Sequence, residues 1–120
     1  MRKVTVFILG ILLLGLSIWP VQAQDSEVLL LEIEGPVTPA MASYFERGIA
    51  EAEAVDAAAL VIILNTPGGA VDTTQAIVRV FRASDVPIIV FFSPRGAQAA
   101  SAGSIITVAA HASAMSPETD

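Results

Sequence analysis

No cysteine occurs among the 120 residues. Disulfides, thiol catalysis and thiolate metal sites are therefore excluded. A single histidine, His111, rules out a multi-histidine metal site built from this chain alone, and no cofactor is expected. Lysine is almost missing: the one copy is Lys3, in a leader segment. After residue 23 the cations are Arg47, Arg79, Arg82 and Arg95, four arginines against all twelve Asp and Glu, a formal net charge of −8. An acidic surface argues against a nucleic-acid partner. There is no internal repeat, no low-complexity tract and no sign of a second domain, and the length bounds the chain to one small domain.

What is present begins with an export segment. Met1-Arg2-Lys3 is basic, and Val4 to Trp19 is apolar apart from Thr5, Ser17 and two glycines. Pro20 breaks the run, and Val21-Gln22-Ala23 offers small residues for cleavage after Ala23. Residues 1–23 read as a secretory signal peptide, leaving 24–120 as the domain, with Gln24 at its start. The other reading is an uncleaved membrane anchor, although the apolar core is shorter than the ~20 residues a span needs. Either way the domain is expected outside the cytoplasm, on the extracytoplasmic or periplasmic side.

Beyond the leader, two periods alternate. Val28 to Ile33 is an apolar run of strand length ended by Glu34-Gly35-Pro36. Thr38-Pro39 reads as a helix N-cap with proline at the first position, and Met41, Phe45, Ile49 and Ala52 then recur at helical spacing over 38–54. Ala57 to Leu64 is continuously apolar, the pattern of a strand buried on both faces of a parallel sheet. After the turn signal Asn65-Thr-Pro-Gly-Gly-Ala70, Asp72 and Gln75 suggest a capping box opening a helix over 72–84. Val86 to Phe92 reads as a third strand, and Ala112-Ser-Ala-Met115 as the start of a fourth. This alternation predicts an α/β fold with right-handed crossovers and a mostly parallel sheet. With no closing helix after the last run, the chain reads as the front part of a larger domain.

Between the third strand and the last run lies Arg95-Gly-Ala-Gln-Ala-Ala-Ser-Ala-Gly-Ser104. It predicts a loop and then a helix with Ser101 near its start, at the positive end of the helix dipole. The surrounding Ala and Gly admit close approach by another backbone or a substrate. The same residues also fit a buried Ala/Gly helix whose serine caps or bonds back to its own backbone. Loops that follow successive strands of a parallel sheet emerge at one edge. Gly68-Gly69 and Ser101 should therefore be neighbours, although a diglycine is also an ordinary tight turn. A hydroxyl beside the backbone N–H groups of Gly68, Gly69 and Ala102 is what acyl transfer needs. The serine attacks a carbonyl, and each well-placed donor stabilises the oxyanion by ~2.7–4 kcal/mol.

Asn65-Thr-Pro-Gly-Gly-Ala70, followed by Gly96-Ala-Gln-Ala-Ala-Ser-Ala-Gly103, resembles the ClpP-class serine proteases, and in particular the membrane-associated NfeD-like proteases. The resemblance covers the segment from Val28 through Pro117. It implies a ClpP/crotonase-like fold of stacked β-β-α units. It implies Ser101 as nucleophile, and an oxyanion hole made by a glycine amide of the Gly68-Gly69 loop and the amide of Ala102. It implies a serine endopeptidase of the Ser-Lys type, acting on peptides or on a hydrophobic segment of a stomatin-like membrane partner. Full-length members often add transmembrane helices and a C-terminal OB-type domain, so membrane association would come from segments outside this chain; a homodimer is held open.

The family's lysine would lie beyond Asp120, so this chain carries a nucleophile without its base. A serine hydroxyl needs such a base to react, and the fragment itself is expected to be inactive. His111 is ten residues past Ser101; along a helix that is ~15 Å, well outside the ~2.6–3.2 Å reach of a general base. It is expected to be a structural residue at the helix end, and Ser104 to pack or to bond back to its own backbone. Two other readings remain open. One is a protease of the signal-peptide-peptidase type, which shares the diglycine loop and the Ser-Lys pair. The other is a membrane-side scaffold of the same fold in which Ser101 is unused. A crotonase-type acyl-CoA enzyme fits an exported domain poorly, because CoA thioesters are an intracellular pool.

Overall fold

The computed structural model describes residues 27–119. The signal peptide expected at 1–23, and its cleavage after Ala23, lie outside them. The chain runs β1 (Val28–Glu34), α1 (Pro39–Ala54), β2 (Ala59–Asn65), α2 (Val71–Ala83), β3 (Ile88–Phe92), α3 (Ala102–Ala109) and β4 (Ala112–Met115). The four strands form one sheet in the order β1-β2-β3-β4, and every pairing is parallel. The expected alternation is therefore present, with no hairpin between β2 and β3.

Sequential order with right-handed crossovers puts all three helices on the same face of the sheet. Accordingly α1 packs against α2, and α2 against α3. The helix-covered face holds the core: Leu60, Ile62 and Leu64 of β2 and Ile88, Val90 and Phe92 of β3 are all fully buried. Burying a side chain of this kind contributes ~1.5–3 kcal/mol. Phe45 of α1 and Phe81 of α2, both fully buried, meet with ring centroids 5.6 Å apart at 56°. Gly48 lets α1 settle onto β1, since a Cβ there would fall 2.3 Å from Leu31 Cδ1.

Two local expectations are corrected. The Ala57 to Leu64 run is not buried on both sides. Val61 and Ile63 of β2, and Ile89 and Phe91 of β3, are only half-buried, because no helix among the described residues covers that face. The hydrophobic run therefore reflects a parallel sheet with one face covered within the described residues. The capping box at Asp72 and Gln75 does not form either. The α2 helix begins at Val71 with Ala70 as its N-cap and no side-chain cap bond. Asp72 already lies inside the first turn, where its Oδ1 accepts the N–H of Thr73 at 2.8 Å; a carboxylate there suits the helix dipole. The cap on α1 does form: Thr38 Oγ1 accepts the N–H of Met41 at 3.4 Å, with Pro39 at the first helical position.

Candidate active site

Parallel pairing brings the ends of β2 and β3 side by side, and the loops beyond them stay together. Two single-residue parallel bridges continue the sheet past its regular strands, Val37 with Gly69 and Thr66 with Ala99. The fully buried Thr66 donates its N–H to Gln98 O at 2.8 Å, and Asn65 Oδ1 accepts the N–H of Gln98 at 2.9 Å. Asn65 and Thr66 thus tie the diglycine loop to the serine loop. Neither stood out as a site residue in the sequence, where the one signal was a turn-forming Asn-Thr at the end of a strand.

Ser101 is exposed and sits at the N-cap of α3, with φ 52° and ψ −110°. This is a backbone region that L-residues rarely adopt, costing on the order of 1–3 kcal/mol. Its hydroxyl makes no cap bond to the helix it precedes. Ser104 does bond back to its own backbone, its Oγ donating to Ala99 O at 2.7 Å. The two serines of the stretch therefore differ: one is tied into the fold, and the other presents a hydroxyl with no hydrogen-bond partner among the described residues.

The diglycine loop lies directly against Ser101. A Cβ on Gly68, whose φ is +104°, would fall 2.8 Å from Ser101 Cβ and 3.3 Å from Ala102 N. Gly69 approaches Val37 just as closely, since a Cβ there would meet Val37 O at 2.3 Å. Side chains at either position would force the loops apart. The three amides differ in availability. The Gly68 N–H is already donated to Thr66 Oγ1 at 3.1 Å. Ala102 is the first residue of α3, where a backbone N–H has no partner within the helix. The Gly69 and Ala102 N–H groups have no acceptor among the described residues. Both residues, with Ser101, line a cavity of about 470 Å³ whose other walls include Val71, Val78 and Ile105.

His111 is a structural residue. Its N–H donates to Ile88 O at 2.9 Å, and its Nδ1 accepts the N–H of Ile88 at 3.1 Å, extending the pairing of β3 with β4. Beside the serine loop, Arg95 grips Glu118 through Nε at 2.8 Å and through Nη2. The guanidinium holds the Glu118 carboxyl below its usual value, and the carboxylate in turn raises that of Arg95.

A one-sided parallel sheet whose second and third strands lead into a diglycine loop and a helix-starting serine defines a ClpP-like α/β protein. The structure of a ClpP1 mutant from Listeria monocytogenes matches it with a TM-score of 0.60, covering 72% of this chain and 47% of the other at 22% identity, a likeness of fold. Residues 27–120 match the NfeD1b N-terminal domain, and the chain belongs to that family. It is 40% identical over 92 residues to the membrane-bound protease PH1510 of Pyrococcus horikoshii, covering 77% of this chain and 21% of that protein. The 1510-N membrane-bound stomatin-specific protease has been solved as a serine-to-alanine mutant, with a TM-score of 0.78 and 38% identity over 80% of this chain and 46% of the other. A lysine-to-alanine mutant of it in complex with a substrate peptide matches with a TM-score of 0.77 and 39% identity, covering 78% of this chain and 43% of the other. The chain thus spans about a fifth of the curated relative and under half of the solved ones.

Proposed function

We propose that this chain carries the nucleophile and oxyanion hole of a serine endopeptidase. One observation carries the reading: the Ser101 hydroxyl and the N–H groups of Gly69 and Ala102, all without a partner among the described residues, line the same apolar cavity. Ser101 Oγ attacks the scissile carbonyl carbon, its proton passes to a base, and the carbonyl oxygen takes the negative charge between the two amides. Collapse of this intermediate expels the amine, which takes the proton back, and water then releases the acyl group by the same steps in reverse. Gly68 acts by shape, because its own N–H is held by Thr66.

The base is a lysine outside the described residues, completing a Ser-Lys dyad. The reading is supported by the protease relatives and by a lysine-to-alanine form of one of them having been solved with a substrate peptide. As a base the lysine must be neutral, which requires a setting that lowers its pKa toward ~7–8. The apolar cavity suits a hydrophobic peptide segment, and a stomatin-like membrane protein is the proposed source, as in the name of the solved relative. The protein acts outside the cytoplasm, delivered by residues 1–23. The test is peptide cleavage by the full-length gene product, and separately by the 24–120 fragment. The full-length protein cleaves apolar peptides, Ser101→Ala lowers the rate about a thousandfold or more, and the fragment is inactive. Unchanged cleavage by Ser101→Ala would make Ser101 a structural residue and favour the scaffold reading.

A further inference from the structure

The cavity at Ser101 adjoins another hollow between α2 and α3. This second hollow, of about 320 Å³, shares Val78 and Ile105 with it and extends to Val108 and Arg82. One wall is apolar and open to solvent, with Ile105 56% and Val108 81% exposed. The other wall, α2, contributes two exposed arginines, Arg79 to the first hollow and Arg82 to the second.

Neither arginine has a counter-ion among the described residues. Among the described residues the charged pair found is Arg95 with Glu118. They sit three positions apart on one helix, where like charges repel, in a domain with a large excess of carboxylates. Arg82 closes the last turn of α2, where a cation suits the helix dipole. Arg79 lies one turn earlier and serves no helix end. Two uncompensated cations facing an apolar wall, in a groove that opens at the nucleophile, fit an apolar ligand that also carries negative charge.

Resting on the endopeptidase reading, we propose that Arg79 and Arg82 are specificity-determining residues. They select peptide segments in which an Asp or Glu lies close to the scissile bond, alongside the apolar side chains held by Val78, Ile105 and Val108. The distance follows from the helix. Seven residues separate Ser101 from Val108, a rise of ~10 Å, which an extended peptide covers with about three residues at ~3.3 Å each. The carboxylate is therefore within about three residues of the cleaved bond on the side that runs along α3.

The experiment uses the full-length protein and three series of apolar peptides of one parent sequence, carrying Glu, Gln or Lys respectively at each position up to three from the scissile bond on either side. At one position the Glu peptide is cleaved about fivefold more efficiently than the Gln peptide, the size expected of a solvent-exposed ion pair, and the Lys peptide less efficiently than either. The preference shrinks as salt is raised through the range where exposed charges are screened. The double variant Arg79→Glu with Arg82→Glu reverses the order of the Glu and Lys peptides; the wild-type order and its salt dependence stand as the test if that variant fails to fold. If the wild type cleaves none of the peptides, the endopeptidase reading has failed. Equal cleavage of all three overturns the arginine assignment alone. If the order is equal and the double variant instead loses binding to phosphatidylglycerol vesicles, the arginines serve an anionic membrane surface and the proposal is wrong.

Discussion

Two helices of this domain begin at a hydroxyl residue, and they use it in opposite ways. At α1, Thr38 has an extended backbone, φ −128° and ψ 163°, and its Oγ1 accepts the N–H of Met41. At α3, Ser101 stands at φ 52° and ψ −110°, and its hydroxyl binds nothing in the helix. The first is a relaxed cap that adds stability. The second is a strained position that withholds the same chemistry from the fold, leaving both the hydroxyl and the neighbouring Ala102 N–H available. Local strain of this kind persists only where surrounding contacts hold it. Here they are the Thr66 bridge to Ala99 and the close approach of Gly68.

The comparison is broken most sharply by truncating each hydroxyl. On the endopeptidase reading, Ser101→Ala in the full-length protein should cost about a thousandfold or more in peptide cleavage. Its melting behaviour stays within about 0.5 kcal/mol of wild type, because no hydrogen bond is lost. Next in size is Gly68→Ala. A methyl group 2.8 Å from Ser101 Cβ, on a residue at φ +104°, must push the loops apart. A loss of about 1–3 kcal/mol in denaturant unfolding is expected from the backbone alone, with a drop in cleavage well beyond what the unfolded fraction explains. Thr38→Ala is the mirror of the serine change: it loses about 1 kcal/mol of stability, and cleavage per folded molecule is unchanged. If Thr38→Ala were silent in unfolding while Ser101→Ala destabilised, the division of labour between the two helix starts would be wrong.

The smallest effect belongs to Glu118. Its carboxyl is held below the usual value by Arg95, so the folded protein binds that proton less readily than the unfolded chain. The stabilisation is present above the ordinary carboxylate pKa and is lost as pH falls through the depressed folded value. Both side chains are well exposed, so the contribution is small and screened by salt. Glu118→Gln should flatten the acid limb of a stability–pH curve slightly and leave the neutral region almost unchanged.

Much of this was legible in the sequence, for specific reasons. Strand runs and 3.6-residue spacing gave the order of elements, and parallel pairing then required the loops at 66–70 and 93–100 to meet. Thr38-Pro39 announced a real cap because both residues act locally. Asp72 with Gln75 carried a similar signal, yet the chain entered α2 two residues earlier, through a loop pinned to Val37, and tertiary contact overrode the local preference. The two-faced burial expected of β2 failed because apolar content does not say which face finds a partner. The backbone of Ser101 was beyond sequence reasoning: a positive φ is anticipated at glycine, not at serine. For the same reason the sequence could not say which glycine of the pair keeps a free N–H, since that turns on where the Thr66 hydroxyl points.

The bridges from Val37 to Gly69 and from Thr66 to Ala99 carry one more consequence. Loops that merely cross a surface usually loosen before the body they are attached to. These two are continuations of the sheet, sharing its hydrogen-bonding rhythm with residues on either side. On heating they are expected to show no transition of their own, the constellation around Ser101 persisting for as long as β2 and β3 remain paired. On the endopeptidase reading, the groups proposed to meet a substrate are therefore held by the sheet itself.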